Sequence, residues 1–196
     1  MAVAVAVSAA VACGPHPPRS AGSLSSTTLV TTTTAPVRLD ASFQEPGLSF
    51  SYPAEWRPQS FLETGSFSQL IIFLSPVPLH DPCTHPQPGA SICGDPIGTL
   101  PPGGVLVSWY NDGFPRAPGQ PGVPDPNTII GGQAARVTTE RPGLCGQFKA
   151  EETITADIEQ PNGGNHYDMQ ACLRSPNLAV AEQRIQAMLA STRVSS

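Results

Sequence analysis

The chain has 196 residues, of which 15 are acidic and 10 basic, for a formal net charge of −5; this length suits one domain of ordinary size plus tails. The acidic balance excludes the basic stripe of a nucleic-acid-binding protein, and no apolar run reaches the ~18 residues that span a bilayer. Hydrophobic residues make up 39%, enough for a real core, while 23 prolines and 18 glycines point to many turns and stiffened loops.

Residues 2–12 read AVAVAVSAAVA. This run is too short for a membrane helix and has the length of the apolar region of a secretory signal. It ends in small residues followed by Cys13-Gly14, and there it resembles the lipobox of bacterial lipoproteins. The resemblance implies that the Cys13 thiol receives a diacylglycerol and that Cys13 becomes the first residue after cleavage. Ala10 stands where that family usually has leucine, and no Lys or Arg precedes Arg19. A plain secretory signal cleaved nearby is the alternative. Residues 14–40 are dominated by Ser, Thr and Pro and contain no aromatic residue. They cannot bury enough apolar surface to offset their ordering entropy, so they are expected to form a disordered tether. As a flexible coil these residues would reach about 30 Å on average.

The folded part is expected over residues 41–196. In residues 47–56 (GLSFSYPAEW), Leu48, Phe50 and Tyr52 alternate with small polar residues, the pattern of a half-buried strand that Pro53 ends. Residues 69–74 (QLIIFL) form a continuous apolar run suited to a strand covered on both faces. In residues 104–110 (GVLVSWY), Val105, Val107 and Trp109 share one face and Leu106, Ser108 and Tyr110 the other. Gly131-Gly132 makes a turn before a strand at residues 133–139. Over residues 150–159, Ala150, Glu152, Ile154, Ala156 and Ile158 share one face. Glu151, Thr153, Thr155, Asp157 and Glu159 share the other, which is expected to be wet. Residues 161–164 (PNGG) turn the chain into a return strand that groups Tyr167, Met169, Ala171 and Leu173. Ser175 is expected to cap a helix with Pro176 in its first position. Leu178, Ala181, Ile185, Met188 and Leu189 then recur at helical spacing and would pack on the sheet.

The GLSFSYPAEW start, the GGQAAR turn and strand, the ACLRSPN junction and the final helix ending MLAST resemble the PsbP-like extracytoplasmic lipoproteins of actinobacteria. The likeness covers roughly residues 45–194. It implies an α+β fold, an antiparallel β-sheet flanked by helices in an α/β/α sandwich, with the C-terminal helix on the sheet. It also implies an extracytoplasmic, non-enzymatic setting, and it carries over no catalytic residue.

Beyond Cys13 the chain has Cys83, Cys93, Cys145 and Cys172. An even number in an exported protein reads as two disulfides. Of the three connectivities that exist in principle, Cys83–Cys93 and Cys145–Cys172 are expected. The first closes a short proline-rich loop, and the second ties the start of the long strand to the end of its return partner. His80, Cys83, His85 and Cys93 include zinc-type ligands. Their spacing matches no zinc motif, and in an oxidising compartment the disulfide is expected to win. No metal and no cofactor is predicted.

The chain holds no G-x-S-x-G, no H-E-x-x-H and no P-loop, so no catalytic residue is nominated. Glu151 and Glu152 point to opposite faces of a strand; Asp157 and Glu159 share one, read as a solvated strand face. Residues 75–103 and 111–128 are long, rich in Pro and Gly and without strand or helix pattern, and loops of that length are usually functional or disordered. His80, Asp81, His85, Trp109 and Tyr110 are therefore the nominated binding surface, with core packing the preferred reading of Trp109 by itself. The functional expectation is a membrane-tethered lipoprotein on the outer face of the cytoplasmic membrane, or a secreted protein. It would serve a non-catalytic binding or accessory role toward an envelope protein or polymer. A hydrolase of envelope polymers and a metal-handling domain built on the His80–Cys93 segment are the alternatives.

Overall fold

A two-residue turn starts the fold. Pro46-Gly47 joins β1 (Ala41–Glu45) to β2 (Leu48–Tyr52) in an antiparallel hairpin. Gly47 sits at φ 90°, which a side chain rarely adopts. The computed structural model describes residues 37–61, 68–87, 90–112, 123–161 and 165–195. The signal-like segment, Cys13 and residues 14–36 of the expected tether lie outside the described residues, as do residues 162–164 of the PNGG turn.

After β2 come β3 (Arg57–Gln59) and β4 (Ser68–Ser75), then a hairpin of β5 (Cys83–Gln87) and β6 (Ala90–Cys93). The chain continues through β7 (Val105–Asp112), β8 (Thr128–Ile130) and β9 (Gln133–Glu140) to a 3-10 helix, Gly143–Phe148. It ends with β10 (Glu152–Glu159), β11 (His166–Leu173), α1 (Leu178–Ser191) and β12 (Arg193–Val194). Seven strands form one antiparallel sheet in the order β3-β4-β7-β11-β10-β9-β8, and β1, β2 and β12 form a second, smaller sheet. The class is α+β, with antiparallel sheets dominant and a C-terminal helix.

The pleat decides what each face of the large sheet does. Ile72 and Leu74 of β4, Val107 and Trp109 of β7, Met169 and Ala171 of β11, and Ile154 and Ile158 of β10 are buried on one face. Against that face pack Leu48, Phe50 and Tyr52 of the small sheet and Ala181, Ile185, Met188 and Leu189 of α1. Phe50 lies stacked on Trp109 with ring centres 4.8 Å apart. The opposite face is apolar at one end only, where Leu70, Phe73, Leu100, Leu106, Phe148 and Cys172 cluster. Among the described residues, that end is covered by the 3-10 helix and the loop around Leu100, and α1 is the only α-helix.

Several expectations change on contact with the structure. Residues 75–103 are not pattern-free, because β5 and β6 pair there and Cys83 lies directly opposite Cys93. The helix starts at Leu178, and its N-cap position is Asn177, not Ser175. Ser175 is held elsewhere. Its carbonyl accepts from Gly103 N, Arg174 N donates to Gly104 O, and Ser175 Oγ donates to Glu151 at 2.5 Å. The predicted wet face of β10 is dry at its start. Thr153 is buried, donating to Pro142 O and accepting from Cys145 N, because the 3-10 helix folds over it.

Both expected disulfides are formed. Cys145–Cys172 spans 27 residues and ties the 3-10 helix to β11 within a fully buried cluster. Cys83–Cys93 spans 10 residues and closes a hairpin. Chain-entropy reasoning gives about 3–4 kcal/mol for the longer crosslink and about 2–3 for the shorter. The Cys145→Ala/Cys172→Ala variant is therefore expected to lose more stability in denaturant titrations than Cys83→Ala/Cys93→Ala; the reverse order would show that the hairpin crosslink matters more.

Candidate functional site

The end of the large sheet near the β10–β11 connection carries polar groups on both faces. On the core face, β7 runs past Trp109 to Asn111, β11 begins near Tyr167, and β10 runs past Ile158 to Gln160. Asn111 and Ile158 are both register partners of Tyr167. The β1–β2 turn overhangs this end. Between them lies a groove of about 890 Å³, whose polar lining is Gln44, Glu45, Asn111, Gln160, Tyr167 and Ser195. Pro46 and Gly47 complete it. A side chain at position 47 would strike the Tyr167 hydroxyl, so glycine there lets that hydroxyl sit under the turn. Ser195 N donates to Gly47 O at 3.0 Å and ties the C-terminal residues to the same turn.

Two hydrogen-bonding features define the groove's chemistry. Gln160 Nε2 donates to Asn111 Oδ1 at 2.8 Å. That bond orients both amides, so that Asn111 Nδ2 is turned to donate and Gln160 Oε1 to accept. Burial pushes the Glu45 carboxyl up from its ordinary value. Burial first, and the nearby Glu45 charge second, raise the Tyr167 hydroxyl, which therefore stays protonated and able to donate. No Lys, Arg or His lines the groove among the described residues.

On the other face of the same end stands an acidic patch. Cross-strand register places His166 opposite Asp112 and Glu159, Asp168 opposite Tyr110 and Asp157, and Asp157 opposite Arg136. His166 Nε2 lies 3.4 Å from Asp112 Oδ2. The Asp168 carboxyl is pushed up to about 6, first by burial and then by the charges of Asp157 and Asp112. Asp157 and Glu159 are thus half-buried members of a charged patch, not a freely solvated strand face.

A third cluster joins the helix to the sheet. Glu152 is fully buried on the core face of β10, and its Oε2 accepts from Arg141 Nε at 2.7 Å. Arg141 Nη2 also lies 3.5 Å from Glu182 of α1. The Glu182 carboxyl is raised by desolvation and by its hydrogen bond and charge contact with Glu152, against the opposing pull of Arg141. Adjacent residues on a strand cannot pair, so the sequence directed attention away from Glu152; its carboxylate partner is supplied by a distant helix.

The nominated binding surface does not assemble. Trp109 is fully buried and is a core residue, because the pleat of β7 turns it toward Phe50. Tyr110 points to the other face, half-buried and edge-on to Phe73. His80 and Asp81 are exposed in the loop before β5, where Asp81 Oδ1 accepts from Cys83 N at 2.9 Å. His85 lies on β5, and its side chain is outside the described residues. Both cysteines of the His80–Cys93 segment are consumed by the disulfide. Among the described residues no group of three or more His, Cys, Asp or Glu could hold a metal ion. No helix among them is long and apolar enough to cross a membrane.

The chain matches no protein-family model, and no curated protein shows significant similarity to it.

The acidic patch has a pH signature. Asp168 binds its proton more tightly in the fold than the ordinary value of 3.8 allows, so stability falls as pH rises from about 4 to about 6. Asp168→Asn removes the penalty. It is expected to raise stability by about 1–3 kcal/mol at pH 7.5 and to change it little at pH 3.5. Denaturant titrations at the two pH values measure this, and an equal change at both would show that charge is not the cause.

Proposed function

We propose that the chain is an extracytoplasmic lipoprotein, tethered to the outer face of the cytoplasmic membrane through Cys13, with a non-catalytic binding or accessory role at the cell envelope. The observation that carries this reading is the pair of disulfides. Two crosslinks in one domain, one at its core, belong to an oxidising compartment. The apolar run before Cys13 and the Ser/Thr/Pro-rich segment behind it supply the export signal and the tether. Two acyl chains on one cysteine would hold the protein stably, where one would not.

In this reading residues 41–196 are a PsbP-like domain. The antiparallel sheet carrying the C-terminal helix on one face supports it, with the 3-10 helix and the disulfide forming the covering layer on the other. The binding role is supported by the polar groove at one end of the sheet. The partner is an envelope protein or polymer.

Intact mass spectrometry of the protein exported by an actinobacterial host tests the proposal. A diacylglycerol on Cys13 is expected, with a mass gain on reduction equal to two hydrogens for each of the two disulfides. Cys13→Ala should move the protein from the membrane fraction to the medium. An unlipidated Cys13 overturns the tether, and free thiols at Cys83, Cys93, Cys145 and Cys172 overturn the compartment.

A further inference from the structure

The groove beneath the Pro46-Gly47 turn differs from an ordinary small-molecule pocket in its walls. Ligand pockets are lined mainly by apolar and aromatic side chains, with a few polar groups for orientation. Among the described residues, six of the eight that line this groove are polar, and the other two are the proline and glycine of the turn. Such a groove sets a polar group on each of the elements that line it. Among the described residues, an anionic ligand would meet the Glu45 carboxyl and no cation. Gln44 and Glu45 lie on β1, an edge strand of the small sheet, and the rest of the lining offers amides and hydroxyls to a ligand alongside it.

Those groups suit one chemistry. A hydroxyl both donates and accepts, as does a side-chain amide. The Gln160–Asn111 hydrogen bond leaves a donor on one amide and an acceptor on the other, groups that match the hydroxyls of a ligand. Tyr167 Oη, held under the turn by the absence of a side chain at Gly47, adds a third fixed group, and Glu45 a fourth. The amides are oriented before any ligand arrives, which lowers the ordering cost of binding. We infer that this groove is a binding site for a neutral polyhydroxylated ligand, a short stretch of uncharged sugar residues. The inference rests on the binding role proposed above and names its substrate class.

The test uses the exported, disulfide-bonded Cys13→Ala protein labelled with nitrogen-15. Maltotetraose, cellotetraose and chitotetraose are the neutral probes, and a heparin tetrasaccharide is the anionic control. At least one neutral tetrasaccharide is expected to move the side-chain amide signals of Asn111 and Gln160 saturably, while the heparin probe does not. Asn111→Ala and Gln160→Ala are each expected to weaken that binding by about threefold to tenfold, with the backbone amide spectrum away from the groove unchanged. Three outcomes overturn the inference: no saturable shift with any neutral probe, an equal response to heparin, or undiminished affinity in both variants. Failure here with a lipidated Cys13 leaves the tethered reading standing. Sugar binding by a chain whose Cys13 proves unlipidated leaves the groove standing and removes the tether.

Discussion

The stack of Phe50 on Trp109 is the contact on which the architecture turns. Trp109 is the largest apolar group on the central strands and is completely covered. Phe50 is the middle residue of β2, so the stack docks the small sheet on the large one. Phe43 stacks in turn on Phe50, which carries β1 along. Aromatic pairs at these separations add to the free energy of burial itself. With β2 held there, the Pro46-Gly47 turn hangs over the end of β7, β10 and β11, and the groove follows from that overhang.

The second constraint is the unequal covering of the large sheet. One face is buried by β2 and α1 up to the groove at the β10–β11 end. The other has an apolar end, closed by Phe148, Leu100 and the Cys145–Cys172 crosslink, and a charged end that carries Asp112, Asp157, Asp168 and His166. The disulfide lies where a conventional outer helix is absent among the described residues. It does for the 3-10 helix what a larger apolar face does for α1: it holds a short element that could not bury enough surface to stay docked alone. The polar groups are thereby concentrated at the end of the sheet that the crosslink leaves open.

Buried charge is confined to places where a partner is at hand. Glu152 is enclosed under α1 only because Arg141 reaches it from the chain preceding the 3-10 helix, and removing that cation would leave an uncompensated buried carboxylate. Among the described residues no such cation bears on Asp168. Its surroundings are two further aspartates, so the fold favours its neutral form.

Periodicity made much of this legible. The alternation in β2, β7, β10 and β11 named the core-facing residues of those strands, because a side chain's face follows from position parity alone; Ala150, grouped with that face, lies before β10 and packs instead with Cys145 and Phe148. The helical spacing of Ala181, Ile185, Met188 and Leu189 did the same for α1, and the order of the cysteines along the chain pointed to both crosslinks. Three decisions belonged to tertiary structure. Parity assigns Trp109 and Tyr110 to opposite faces, but it does not say what covers either one, and docking of β2 decided that Trp109 is core. The helix start moved past Ser175 because the loop before β7 claims Arg174 and Ser175 first. The groove joins residues from β1, the β1–β2 turn, β7, the chain just after β10, β11 and the C-terminal chain, separated by up to 151 positions between Gln44 and Ser195. No local pattern relates residues that far apart; only the packing of the two sheets brings their side chains within reach of one ligand.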